Sequence, residues 1–185
     1  MVEDVVESAK RRMNNTQEHV RQDFTGIRTG RASASLLNRV SVNYYGQPTP
    51  LNQIAAITVP EPTLLVISPY DKSIMNDVEK AIMQSDLGLN PMNDGHIIRL
   101  PIPKLTEERR KEMTRLVRTK AEDGRVALRN VRRDAIEELR SLEKDGEITK
   151  DDLHRGQEEI QKLTDQHIAE TDEMLKNKEK ELMEV

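Results

Sequence analysis

The stretch Leu105–Thr149, LTEERRKEMTRLVRTKAEDGRVALRNVRRDAIEELRSLEKDGEIT, contains no proline and sets apolar or small residues at Met113, Val117, Gly124, Leu128, Val131, Ala135, Leu139 and Leu142. Steps of three, four or seven put all of them on one stripe of an α-helix. Thr106 is placed as its N-cap, with Glu107 and Glu108 in the first turn, where the helix dipole favours anions. Gly146 ends it, so it runs for about 39 residues, or about 58 Å. A helix with one apolar stripe is not stable alone. This stretch therefore commits the chain to a helical bundle, and the flanking sequence has to supply the partners.

One partner follows directly. Thr149 with Asp152 forms a capping box in which Asp replaces Glu, and Ile148 and Leu153 stand where a hydrophobic staple does. The stripe continues through Ile160, Leu163, His167, Thr171, Met174, Lys178 and Leu182, and the short connection makes the two helices antiparallel. The other partner lies at the start of the chain. Val2, Val6, Ala9, Met13, Thr16, Val20, Phe24 and Ile27 repeat at three and four, with Gly30 as the expected stop.

Between them the character changes. All eight prolines lie between Pro48 and Pro103, which forbids one long helix. RVSVNYY (39–45) alternates as a half-buried strand, QIAAITV (53–59) and TLLVISP (63–69) flank the turn PEP, and HIIRLPI (96–102) follows the turn NDG. A helix begins near Asp71 or Ser73, repeats Ile74, Val78 and Ile82, and is expected to stop at Gly88. The expected fold is α+β: an elongated antiparallel three-helix bundle, residues 1–30 plus 105–185, into which a small β/α/β domain, residues 31–104, is inserted. Two linkers between two cores imply a hinge at Gly30, Arg31, Pro101, Pro103 and Lys104.

The 185 residues are 35% hydrophobic, 34% charged and 2% aromatic, so the core is aliphatic. With no cysteine, disulfides, thiolate metal sites and cysteine nucleophiles are excluded. The acidic start MVEDVVESAK is unlike a secretory signal and no long apolar run exists, so a soluble, cytoplasmic protein without membrane contact is expected. The net charge of −4 is unevenly spread. Residues 1–104 hold 11 basic and 11 acidic side chains, residues 105–144 hold 12 and 9, and residues 145–185 hold 6 and 13.

Nine of the twelve cations in the basic segment are arginine, whereas the last helix uses five lysines and one arginine. Arg118, Arg125, Arg129, Arg132 and Arg140 each follow a stripe residue by one, so they stand about 100° round the helix from the core. Arg115 and Arg133 widen the band. A solvated face paired to Glu122, Glu137 and Glu143 is the plain reading. The choice of arginine, whose fork suits phosphate, and the crowding of Arg129, Arg132 and Arg133 favour binding to a nucleic-acid backbone. The three tyrosines and Phe24 do not interleave with these arginines, so structured RNA is favoured over stacked single strands.

Enzymatic signals are weak. The four histidines are scattered outside metal-ligand spacing, His167 sits in a core stripe, and GIRTGRAS (26–33) lacks both the spacing and the lysine of a phosphate-binding loop. No catalytic residue, metal site or cofactor is expected.

IRTGRAS (27–33), YYG (44–46), SDLGLNP (85–91), LTEERRKE (105–112), VALRNVRRDA (126–135) and KLTD (162–165) together resemble the ribosome recycling factor family, in order and over the full length. The resemblance implies a three-helix bundle with a hinged β/α/β domain in an L shape. It also implies action on the post-termination ribosome, on large-subunit RNA near the peptidyl-transferase centre. There the factor splits the subunits with elongation factor G and GTP, and initiation factor three keeps them apart. By the same resemblance Arg132 matches the arginine tied to ribosomal RNA, with Arg129 and Arg133 beside it. Arg110, Arg28 and Arg31 match arginines nearer the hinge, and Arg125 belongs to the same basic ridge. A monomer is expected. Gly124 replaces an expected alanine, a change expected to loosen the helix by up to about 1 kcal/mol. Glu122 stands where some members carry lysine. A structural adaptor and a nucleotide hydrolase are the rival classes, separable by salt dependence and by turnover of the protein alone.

Overall fold

The structure is a computed structural model that describes residues 1–184. In chain order its elements are α1 (Val2–Thr25), β1 (Ser41–Tyr44), β2 (Gln47–Pro50), α2 (Leu51–Ile54), β3 (Ala55–Glu61), β4 (Leu64–Pro69), α3 (Met75–Gln84), β5 (Met92–Asn93), β6 (Ile98–Pro101), α4 (Glu107–Lys144) and α5 (Lys150–Met183). They form two compact units: residues 1–29 with the chain from Glu107 onward, and Gly30–Thr106.

The first unit is a bundle of α1, α4 and α5. At the end of α4, Glu147 N donates to Leu142 O at 2.9 Å and Gly146 N to Glu143 O at 3.0 Å, a left-handed glycine cap with Gly146 at φ 74°. Three residues later the Thr149–Asp152 capping box opens α5, with both reciprocal bonds present. This tight turn folds α5 back along α4. The first helix runs antiparallel to α4: its Arg12 reaches Asp134, and its Val20 lies against Gly124. Apolar side chains fill one half of the bundle, including Val5, Ala9 and Met13 of α1, Leu128, Val131, Ala135 and Leu139 of α4, and Ile160 of α5.

The stripes are shifted in places from their expected course. In α1 the buried residues are Val5 rather than Val6 and Gln17 rather than Thr16. In α4 Ala121 joins the buried row, and Leu142 is only partly covered. In α5 Gly156 and Thr164 are buried, while Leu163 is half covered. The first helix ends at Thr25, well before Gly30. There Ile27 N bonds to Phe24 O, a tightened last turn, and the Thr25 hydroxyl donates to Arg21 O. Ile27 is nevertheless buried, so its apolar signal continues past the helix itself.

In the second unit β3, β4, β6 and β5 form an antiparallel sheet in the order β3-β4-β6-β5, and β1 and β2 form a separate hairpin. Val42, Leu51, Leu65, Ile67, Val78, Ile82, Ile98 and Leu100 form its own aliphatic core, the last six from sheet and α3. Pro48 and Pro50 are tolerated because β2 has only one neighbour. The helix α3 stops at Gln84, not Gly88, where Ser85 Oγ donates to Ile82 O. The elements β2, α2 and β5, four residues or fewer each, are outside the expected set. Of the expected hinge residues, Pro101 closes β6, and Pro103 and Lys104 follow it. Gly30 is at φ 72°, and a side chain there would meet Leu105 N at 3.1 Å. Both connecting segments are fastened to one turn, by Ala32 N to Pro62 O at 2.7 Å and Ile102 N to Thr63 O at 2.8 Å.

Candidate nucleic-acid interface

The residues that follow the α4 core stripe by one do lie together, but they are not equivalent. Near the N-terminal half of α4, Arg118 Nε donates to Glu179 of α5. Arg125 donates through Nε to Asp172 Oδ1 at 2.7 Å and through Nη1 to Glu122 Oε2 at 3.0 Å, and its side chain is only 20% exposed. It therefore does not face outward with Arg129 and Arg132, as a flank read from periodicity alone implies. It is a strut between α4 and α5, because a helix packed antiparallel supplies acids to that same flank from the partner side.

Further along, Arg129 Nη2 donates to Glu122 Oε1 at 2.8 Å, reaching back two turns along its own helix. These two guanidinium groups, Arg125 first, hold the Glu122 carboxyl below the usual carboxylate range. Among the described residues Arg132 makes only a long contact, Nη1 to Gln161 Oε1 at 3.4 Å, and Gln161 itself donates to Asp165 of KLTD at 2.8 Å. Arg133 and Arg140 have no hydrogen bond or ion pair among the described residues. Asp134, which adjoins them in sequence, turns to the other flank and pairs with Arg12 at 2.8 Å.

Arg129, Asn130, Arg132, Arg133, Ile136, Glu137 and Arg140 line a groove of about 310 Å³ on this flank. Its lining comprises four guanidinium groups, one carboxylate, one amide and one aliphatic side chain, Ile136. The arginines recur at three, four and seven, so one continuous helix presents them in a row without any loop having to order. Such a row offers planar, always charged forks to the oxygens of a phosphate backbone. It has no aromatic face for stacking: Tyr44 and Tyr45 lie edge to face in the other unit, and Tyr45 donates to Asp71.

The remaining sequence-derived residues lie elsewhere. Arg110 is in the first turn of α4, about 33 Å along the helix from Arg132. Arg28 is exposed just beyond α1, and Arg31 follows Gly30 in the second unit. Periodicity places Arg140 in the basic band but does not single it out among the RNA-binding residues, and it gives no hint of Gln161, Asp172 and Glu179. A signal for the last three exists: each is nearly as far in sequence from the Gly146–Ile148 turn as the arginine it meets, as a helical hairpin requires. Among the described residues, no group of three or more acidic or histidine side chains is placed to hold a metal, and no helix is long and apolar enough to cross a membrane. His167 is buried as a packed residue, with Nδ1 2.7 Å from Leu163 O and Nε2 2.8 Å from Asn14 Oδ1.

The sequence profile described as ribosome recycling factor matches residues 20–183. Ribosome-recycling factors of Syntrophomonas wolfei and Geobacillus kaustophilus are 55% and 56% identical over 185 residues, covering all of both chains. A solution structure of the ribosome recycling factor superposes with a TM-score of 0.84 at 40% identity, covering 100% of this chain and 98% of the other. A second structure, the T. thermophilus ribosome recycling factor with E. coli elongation factor G on the E. coli post-termination complex, gives 0.69 at 43% identity with full coverage of both.

Proposed function

Since the chain belongs to the ribosome recycling factor family, we propose that it acts with elongation factor G and GTP on the post-termination ribosome, promoting subunit splitting and release of messenger RNA and deacylated transfer RNA. On this reading the bundle docks on large-subunit RNA near the peptidyl-transferase centre through the α4 groove. Arg132, Arg133 and Arg140 meet phosphates directly, with Arg129 beside them. Arg110, Arg28 and Arg31 belong to a second, smaller set of contacts. Arg125 acts indirectly, by fixing α5 against α4.

The mechanism is positional. A helix of 38 residues held by two others is stiff over about 57 Å, so a load applied to the protein moves the RNA contacts as one body. Elongation factor G supplies the energy from GTP, and this chain needs no catalytic group or cofactor. It works as a monomer in the cytoplasm.

The observation that carries the proposal is the groove, in which two arginines have no partner among the described residues and a third has only a long one. Solubility alone does not select unpaired arginine over lysine at adjacent turns of a helix. The test is splitting of purified ribosomes by wild type, Arg132→Ala and Lys176→Ala, with helical content measured beside it. Removing one charge-assisted contact weakens binding by about tenfold or more, so Arg132→Ala fails at concentrations that saturate the other two. Equal activity of all three overturns the proposal.

A further inference from the structure

Glu122 is the one acid on the ridge that holds two of its arginines, and the two differ in what else they have. Arg125 keeps Asp172 as a second partner across the helix pair, so loss of Glu122 leaves it tied. Among the described residues Arg129 has Glu122 alone, through one bond of 2.8 Å between partly exposed groups. Glu122 lies two turns N-terminal of Arg129 on the same face, which is where a long helical side chain naturally leans. The carboxylate therefore occupies, within the molecule, the place a phosphate oxygen would take at Arg129.

We propose that Glu122 is an internal competitor for the RNA phosphate: it keeps Arg129 in reserve, so that the groove offers Arg132, Arg133 and Arg140 at full strength and Arg129 only in part. The inference rests on the proposed reading of the groove as an RNA contact. Its consequence is a factor whose grip on RNA is one arginine short, which favours release after each round. The lowered proton affinity of Glu122 agrees with a carboxylate that stays charged and competitive throughout the neutral range.

The assay is equilibrium binding of the full chain to purified large ribosomal subunits over a range of salt concentrations. It compares wild type, Glu122→Gln, Arg129→Ala, the double variant, Arg132→Ala, and Glu7→Gln as a charge control on the exposed face of α1. An exposed ion pair is worth little, so Glu122→Gln tightens binding by about two- to fivefold. It also steepens the logarithmic salt dependence by about one counterion. Arg129→Ala alone has a small effect, but combined with Glu122→Gln it abolishes both gains. A purely structural role for Glu122 changes thermal stability without moving the salt slope. If Glu122→Gln binds like wild type while Arg132→Ala is weak, the competitor role is wrong and the groove reading stands. If Arg132→Ala binds like wild type, the groove reading itself fails. If Glu7→Gln tightens binding as much as Glu122→Gln, the effect is net charge and the competitor role is again overturned.

Discussion

At Gly124 a Cβ would lie 2.5 Å from Val20 Cγ2, which is too close for any real contact. The glycine is therefore where α1 approaches α4, and the helix propensity it forgoes relative to alanine is set against that close approach. In sequence, Gly124 reads only as a weak helix former in a core stripe, because nothing there names the side chain that sits over it. Gly156 gives the useful contrast: its Cβ would meet Leu139 Cδ1 at 2.7 Å and Val2 Cγ1 at 3.1 Å, the ends of side chains. Leu139 can turn its terminal methyl aside, whereas a valine in a helix has essentially one rotamer. Gly124→Ala gains about 1 kcal/mol of helix propensity but overpacks by about 1–3 kcal/mol, and with a contact this short the cost lies toward the upper end, for a net loss of up to about 2 kcal/mol. Gly156→Ala loses less. Urea unfolding of both, and of Gly124→Ala combined with Val20→Ala, checks this. The Val20→Ala partner should recover the loss beyond additivity, and an additive pair refutes the close-approach account.

At the scale of elements, the long helices are readable because their period repeats over many turns and their ends carry cap chemistry. Thr149, Asp152 and Gly146 do in the structure what their types imply. The short elements are not readable: β5 has two residues, and its pairing with β6 is fixed by the turn between them, not by alternation. That turn is organised by Asp94. Its Oδ1 accepts from Ile97 N and His96 N, both at 2.9 Å, and Oδ2 accepts from Arg99 Nη1 at 2.9 Å. These bonds, the Ile97 amide first, bring its pKa down to about 2. A carboxylate depressed in the folded state contributes stability that is full above its unfolded pKa of about 4 and is lost as pH falls through the folded value. Protection of the Ile98 and Arg99 amides, taken relative to their intrinsic exchange rates, should therefore fall between about pH 4 and pH 2 in the wild type. Asp94→Asn should exchange faster at neutral pH and lack that acid step, and an acid step retained in Asp94→Asn would contradict the assignment.

At the scale of the whole chain, the charge balances of 0, +3 and −7 along the sequence are rearranged by folding. The acidic surplus of α5 is not a separate feature, since Asp172 and Glu179 neutralise Arg125 and Arg118 and so leave the groove arginines of the C-terminal half of α4 as a cluster set apart from those two. The basic segment is legible in the sequence, but its division into paired and available arginines is not, because the division depends on which α5 residues lie opposite. It makes a net-negative protein behave locally as a cation. Binding to large ribosomal subunits should thus weaken with salt despite the −4 total. The three groove arginines without a close partner should contribute about −2 to −3 to the logarithmic slope, one counterion for each phosphate neutralised, with the smaller set at Arg110, Arg28 and Arg31 adding to it. Arg132→Ala and Arg140→Ala should each reduce it by about one. Arg118→Ala, which removes an arginine already paired to Glu179, should leave the slope unchanged. Equal slopes for Arg118→Ala and Arg140→Ala would mean that the ridge acts as a uniform charge cloud, with no selected groove.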